Sequence, residues 1–218
     1  YAINGTVKVI QWMRENNQMP DVALVGEPSN ASAMGQAMRV GRRGSLKGTI
    51  TVKGIQGHSA YPERADNPCP RLIRLLNAFI NIKLDDGTEF FPASHIVVSS
   101  IDVGNPASNV IPAKASALFN VRFNNLWTPE KLEAKFNEVL GATGEPYEMK
   151  LWCNAVSFVT DTGPWTKIVA DAVEKVVGKR PKADTGGGTS DARFIAPYCP
   201  TVEYGVLNAT IHKTDEHT

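Results

Sequence analysis

Between residues 44 and 155 the apolar residues keep changing period, and the order of those changes restricts the fold. Leu46, Gly48, Ile50 and Val52 alternate with Lys47, Thr49, Thr51 and Lys53. A period of two marks a strand with one buried face. Leu72, Leu75, Leu76, Phe79 and Ile80 then fall at helical spacing, behind an Asn67-Pro68 start signal. His95–Ile101 reads as a second strand. In a third, Ala115, Ala117, Phe119, Val121 and Phe123 face one way, with Ser116, Leu118, Asn120 and Arg122 opposite. Thr128-Pro129 opens another helix, with Leu132, Phe136, Val139 and Leu140 inward, and Tyr147, Met149, Leu151 and Cys153 supply a fourth strand. The order β-α-β-β-α-β is the split βαβ of a ferredoxin-like α+β sandwich.

The flanks have a different character. Val7, Ile10 and Met13 predict a helix over Thr6–Asn16, followed by strands at Val22–Val25 and near Ala33–Val40, with Gly41-Arg42-Arg43-Gly44 breaking the pattern. Trp165, Ile168, Val169, Ala172, Val173 and Val176 predict a helix ending at Gly178. Asp184–Ser190 is a Gly-rich loop before a short helix, and Thr201–Tyr204 a strand. The expected plan is a small domain, residues 44–155, inserted into an α/β domain whose flanks are residues 1–43 and 156–218.

The 23 basic and 22 acidic residues almost cancel, and no basic run or basic helix occurs. That argues against nucleic acid or an anionic membrane as partner. The apolar runs are far shorter than a membrane span. Cys69, Cys153 and Cys199 are scattered and odd in number, which suits free thiols in a reducing cytoplasm. Tyr1-Ala2-Ile3-Asn4-Gly5-Thr6 reads like the middle of a protein, so an internal fragment is expected.

Several short strings carry chemistry. Glu27, in Val25-Gly26-Glu27-Pro28-Ser29, follows a buried strand, where a carboxylate can face the cleft of an open α/β sheet. In most chains such a loop glutamate is simply solvated. His58 sits between glycines and a Tyr-Pro turn, and a loop histidine is ordinarily a surface residue. Thr185-Gly186-Gly187-Gly188-Thr189-Ser190-Asp191 offers consecutive N–H groups and hydroxyls. Such a cradle takes carboxylate or phosphate, or is only a flexible turn. It lacks the Lys of a nucleotide P-loop. Arg122 suits a bidentate carboxylate or an ordinary salt bridge. His212, in Asn208-Ala209-Thr210-Ile211-His212-Lys213, is a possible zinc ligand, with Asp215, Glu216 and His217 as rivals. His95 opens a strand and is expected to be structural.

Six strings occur in one order: G-E-P-S, V-G-R-R-G-S-L-K-G, G-I-Q-G-H-S-A-Y-P, S-N-V-I-P, G-G-G-T-S-D-A-R-F and N-A-T-I-H-K. Together they resemble the dinuclear zinc amidohydrolases of the M20 metallopeptidase type, over essentially the whole chain. G-H-S-A-Y-P followed by A-D-N-P, with N-A-T-I-H, looks most like the branch that cleaves the succinyl amide of N-succinyl-diaminopimelate in lysine biosynthesis.

The resemblance implies a zinc-aminopeptidase-like catalytic domain carrying an inserted lid and dimerisation domain. It implies two zinc ions per subunit, with Glu27 a ligand of one and His212 of the other. It makes His58 a catalytic donor reaching in from the second copy of a homodimer. Asn109, Arg122, Gly186, Gly187, Gly188, Thr189, Ser190 and Asn208 are then the substrate-binding residues. The family's remaining ligands and its general-base Glu lie in a preceding part, because no H-x-D occurs before Glu27. This stretch alone is therefore expected to be inactive and a poor zinc binder. Two other expectations stay open: an acetylornithine deacetylase-type enzyme, and a metal-free lid and dimerisation module.

Overall fold

The computed structural model describes residues 5–160, 162–211 and 213–215. The chain divides into two units, one of residues 44–86 and 93–156, the other of residues 1–43, 87–92 and 157–218. In chain order the elements begin α1 (Thr6–Glu15), β1 (Ala23–Val25), β2 (Ala37–Arg39), β3 (Gly41–Arg42), β4 (Gly44–Lys53), β5 (Gly57–His58) and α2 (Pro68–Ile80). They continue β6 (His95–Asp102), β7 (Val110–Ile111), β8 (Lys114–Phe123), α3 (Pro129–Gly141), β9 (Glu148–Ala155) and β10 (Phe158–Val159). The last are α4 (Pro164–Val177), β11 (Lys182–Asp184), α5 (Ala192–Ile195) and β12 (Thr201–Glu203).

In the first unit four antiparallel strands lie in the order β6-β8-β4-β9, with α2 and α3 as crossovers. That is the ferredoxin-like arrangement. The helices start as their sequence signals require. Asn67 Oδ1 accepts the Cys69 N–H at 3.1 Å, and Thr128 Oγ1 accepts the Lys131 N–H at 3.3 Å. The odd-numbered face of β8 is buried against Leu72, Leu75, Leu76, Phe79, Leu132, Phe136 and Leu140. At its centre the Phe79, Phe119 and Phe136 rings meet edge to face, with centroids 4.7 to 6.0 Å apart. Gly48 makes room for them, since a Cβ there would lie 2.4 Å from the Phe119 ring. Ile80, expected on the inner helix face, is instead 57% exposed, because α2 ends at that residue.

The second unit holds a sheet in the order β1-β12-β2-β11. β1 runs parallel to β12 and β2 parallel to β11, while β12 and β2 are antiparallel. Val169, Ala170 and Val173 of α4 cover Met38 and Val202 of that sheet. Gly178, at φ +75°, ends α4 in the left-handed conformation glycine tolerates. The strand expected near Ala33–Val40 is shorter. Gln36 Oε1 accepts the N–H groups of Ala31, Ser32 and Ala33, which folds the preceding residues into a turn. The expected break at Gly41–Gly44 is also corrected: Gly41 and Arg42 pair antiparallel with β10. A Cβ on Gly41 would lie 2.3 Å from the Phe158 carbonyl oxygen, so glycine permits the pairing.

Candidate active site

Glu27 lies two residues past the end of β1, and its backbone runs beside the segment leaving β12. Glycine makes this possible, because a Cβ on Gly205 would lie 2.5 Å from the Glu27 carbonyl oxygen. Fully buried Asn30 locks the adjoining loops together. Its Nδ2 donates to the Gly205 carbonyl at 2.7 Å, and its Oδ1 accepts the N–H groups of Gln36 and Ala37. Its own carbonyl accepts the Asn208 N–H at 2.7 Å. Asn208 is thus fixed to the Asn30 loop.

These loops surround a cleft of about 480 Å³ lined by Glu27, Pro28, Arg39, Arg42, Gly187, Gly188, Thr189, Ser190, Asp191, Arg193, Asn208 and Ile211. Glu27, Gly187, Gly188, Thr189, Ser190 and Asn208 therefore meet around one space, although they are spread over more than 180 positions of sequence. Gly186 belongs to the same loop. His212, Glu216 and His217 lie outside the described residues.

Two arginines that sequence reasoning passed over hold the Gly-rich loop. Arg42, buried, donates through Nε to Glu203 Oε2 at 2.8 Å, forms an ion pair with it through Nη2, and donates through Nη1 to the Gly186 carbonyl at 2.9 Å. Glu203 is 1% exposed and also accepts the Ser190 hydroxyl at 2.5 Å. Arg39 pairs with Asp184, whose Oδ1 accepts the Gly186 N–H at 3.1 Å. Arg39 Nη2 also donates to the Ser29 carbonyl at 2.8 Å. The loop is anchored at both its N–H and its C=O. The available signal was a charged residue inside each of the short apolar strands that end at Arg39 and Glu203.

Burial, and next the nearby Glu203 carboxylate, push the Glu27 pKa above its ordinary value; Arg42 opposes this and Asp191 adds to it. A desolvated carboxylate with anionic neighbours favours a compensating cation. Among the described residues, no three His, Cys, Asp or Glu side chains gather into a group that could hold a metal ion.

His58, Asn109 and Arg122 belong to the other unit. β5 and β7 form a two-residue ribbon that pairs His58 with Val110, and the Ser59 N–H donates to the Asn109 carbonyl at 2.9 Å. The Ala60 N–H donates to His58 Nδ1 at 3.0 Å. In the neutral ring this puts the proton on Nε2, on an exposed side chain. Arg122 stands near the opposite end of β8, between Ser45 and His95. Roughly 25 Å of strand separates it from the His58 end.

Residues 40–148, half of the chain, match the family described as the M20 peptidase dimerisation domain. The chain belongs to the M20 peptidase dimerisation family. M20 peptidases are generally metal-dependent. The succinyl-diaminopimelate desuccinylase of Xanthobacter autotrophicus is 50% identical over 218 residues, all of this chain and 58% of its own length. That of Rhodospirillum centenum is 51% identical over 216 residues, 99% of this chain and 56% of its own length. The chain thus spans a little over half the length of the curated relatives it matches. An M20 family metallo-carboxypeptidase from Sulfolobus solfataricus shares the fold, with a TM-score of 0.70 at 15% identity, covering 90% of this chain and 58% of that one.

Proposed function

We propose that the complete protein hydrolyses the amide of N-succinyl-LL-2,6-diaminopimelate, releasing succinate and LL-2,6-diaminopimelate. The observation that carries this reading is 50% identity to a desuccinylase along the entire chain. The cleft adds physical support, since a substrate with three carboxylates suits buried arginine beside a Gly-rich loop. Residues 44–155 are taken as the lid and dimerisation domain, and residues 1–43 and 156–218 as flanks of the catalytic domain.

Glu27 would hold one of two zinc ions and His212 the other. Bound zinc supplies Lewis-acid polarisation of the amide carbonyl and an acidified water. The chain's own residues bind and orient. Arg42, Thr189 and Asn208 take a substrate carboxylate within the loop formed by Gly186, Gly187, Gly188 and Ser190. Arg122 and Asn109 hold the remaining carboxylates. His58 donates its Nε2 proton to the carbonyl oxygen as negative charge develops there, a contact typically worth about 3–4 kcal/mol.

The same geometry supports a homodimer. His58, on the β5–β7 ribbon, and Arg122, near the far end of β8, are further apart than a small substrate spans, so a second copy would bring both to one molecule. Cys69 and Cys199 are in no disulfide, which supports a reducing, cytoplasmic setting. No helix among the described residues is long and apolar enough to cross a membrane.

The test is competition between N-succinyl-diaminopimelate and N-acetylornithine on the complete zinc-loaded protein. Selective succinate release is expected. Preference for the acetyl substrate would move the function to a related deacylase, and turnover of neither would end the enzymatic reading.

A further inference from the structure

Glu203 is the last residue of β12, inside the sheet between β1 and β2, and is 1% exposed. A buried carboxylate paired with arginine gains little stability over apolar residues of similar volume. Its value must therefore lie in what it organises. Glu203 engages Arg42 through Nε and Nη2 and accepts the Ser190 hydroxyl, while Arg42 Nη1 reaches the Gly186 carbonyl.

A guanidinium carries five N–H bonds. Glu203 takes two of those on Arg42 and Gly186 one, which leaves one N–H on each terminal nitrogen. N–H bonds on the two terminal nitrogens are the donors with which a guanidinium takes a planar carboxylate. A Cβ on Gly187 would lie 2.5 Å from Nη1, so a side chain at that position would block this nitrogen. Because Glu203 already neutralises Arg42, an incoming anion is selected by directed hydrogen bonds more than by net charge.

We propose that Glu203 is a positioning residue that fixes Arg42 and Ser190 from within the sheet and thereby sets the preference for an acyl group ending in a carboxylate. The assignment deepens, and for its substrate rests on, the amide-hydrolysis reading above.

The experiment compares N-succinyl- with N-butyryl-diaminopimelate, which differ in the terminal carboxylate. It uses the complete zinc-loaded protein as wild type, Glu203→Gln, Ser190→Ala, Arg42→Gln and the Glu203→Gln/Arg42→Gln double variant. Losing a charged hydrogen-bonding partner should lower kcat/KM for the succinyl substrate about 10- to 100-fold. The loss should fall mainly on KM, exceed any loss on the butyryl substrate, and add almost nothing in the double variant over Arg42→Gln. Ser190→Ala should shift the succinyl-over-butyryl ratio in the same direction by a few fold. Equal losses on both substrates, or an unchanged ratio in Glu203→Gln, would overturn the proposal. If Glu203→Gln does not fold, an unchanged ratio in Ser190→Ala overturns it.

Calorimetric titration with succinate separates this assignment from the function it rests on. If wild type cleaves neither amide but succinate binds more weakly to Glu203→Gln, the positioning role stands and the hydrolase reading falls. Equal succinate affinity in wild type and variant, or no binding by wild type, removes the positioning role.

Discussion

Gly187 turns at φ +86° against the Arg42 guanidinium, and a Cβ built on it would lie 2.5 Å from Nη1. An alanine there must displace Arg42 and also adopt a backbone that costs an L-residue roughly 1–2 kcal/mol. Gly187→Ala should therefore raise KM for the succinyl substrate about 10-fold or more and lower stability by about 1 kcal/mol or more. Steady-state kinetics beside denaturant unfolding would check both; a variant unchanged in KM would show that the loop does not need this geometry.

His58 is held by the Ala60 N–H on Nδ1 and presents Nε2 outward. If Nε2 serves the developing oxyanion, His58→Ala should lower kcat by about 100- to 1,000-fold with a much smaller change in KM. A raised KM with unaltered kcat would make His58 a binding residue only.

Glu27 yields a pH prediction. Its raised pKa means that the metal-free folded state binds this proton more tightly than the unfolded chain does. Its contribution to stability falls as pH rises from the ordinary carboxylate pKa through the raised one, and the penalty is complete above that. Metal-free Glu27→Gln should then melt higher than wild type near neutral pH, and the gap should close below the ordinary carboxylate range. Added zinc should reverse the order, because it stabilises wild type more. Scanning calorimetry across pH, with and without zinc, would test both halves.

Asn30 satisfies three backbone groups from a fully buried position. Asn30→Ala leaves buried donors and acceptors unpaired, each costing about 1–3 kcal/mol. We expect a loss of at least about 2 kcal/mol in chemical denaturation, with weaker substrate binding because the Asn208 loop loses its anchor. A loss well below that would mean water replaces the side chain.

The edge strand β6 and helix α2 expose Ile101, Val97, Ile73 and Ile80 on the unit that carries the family match. An exposed apolar edge of this kind suits association with another copy. Ile101→Lys with Ile80→Lys should shift the complete protein from dimer to monomer in sedimentation and reduce activity. A dimer that survives both changes would place the interface elsewhere.

The ferredoxin-like unit was readable in advance because two periods, 2 and 3.6, alternate cleanly through Leu46–Val52, Leu72–Phe79 and Ala115–Phe123. The other unit was less so. β3, β10 and β11, which the sequence did not reveal as strands, are only two or three residues long, too short for any period to register. Of the residues that line the cleft, the glycines stood out in local composition, and Glu27 and Asn208 through the strings shared with the resembled family. The pairs that hold them did not, because Arg42 and Glu203 are 161 positions apart and Arg39 and Asp184 are 145 apart. A single chain without its relatives carries no trace of such pairings except a charge set among apolar neighbours. His212 remains an inference from its string alone.

Glu203 sits where the sheet's interior and the cleft's chemistry share one side chain. If Glu203 sets the acyl preference as proposed, a lineage that came to prefer a different acyl group could not reach it by exchanging surface loops alone. It would have to alter a charge inside a central strand, where each intermediate sequence leaves Arg42 buried without its counterion. Specificity in this cleft should therefore drift slowly, and laboratory redesign of it should begin with Arg42 and Glu203 changed together.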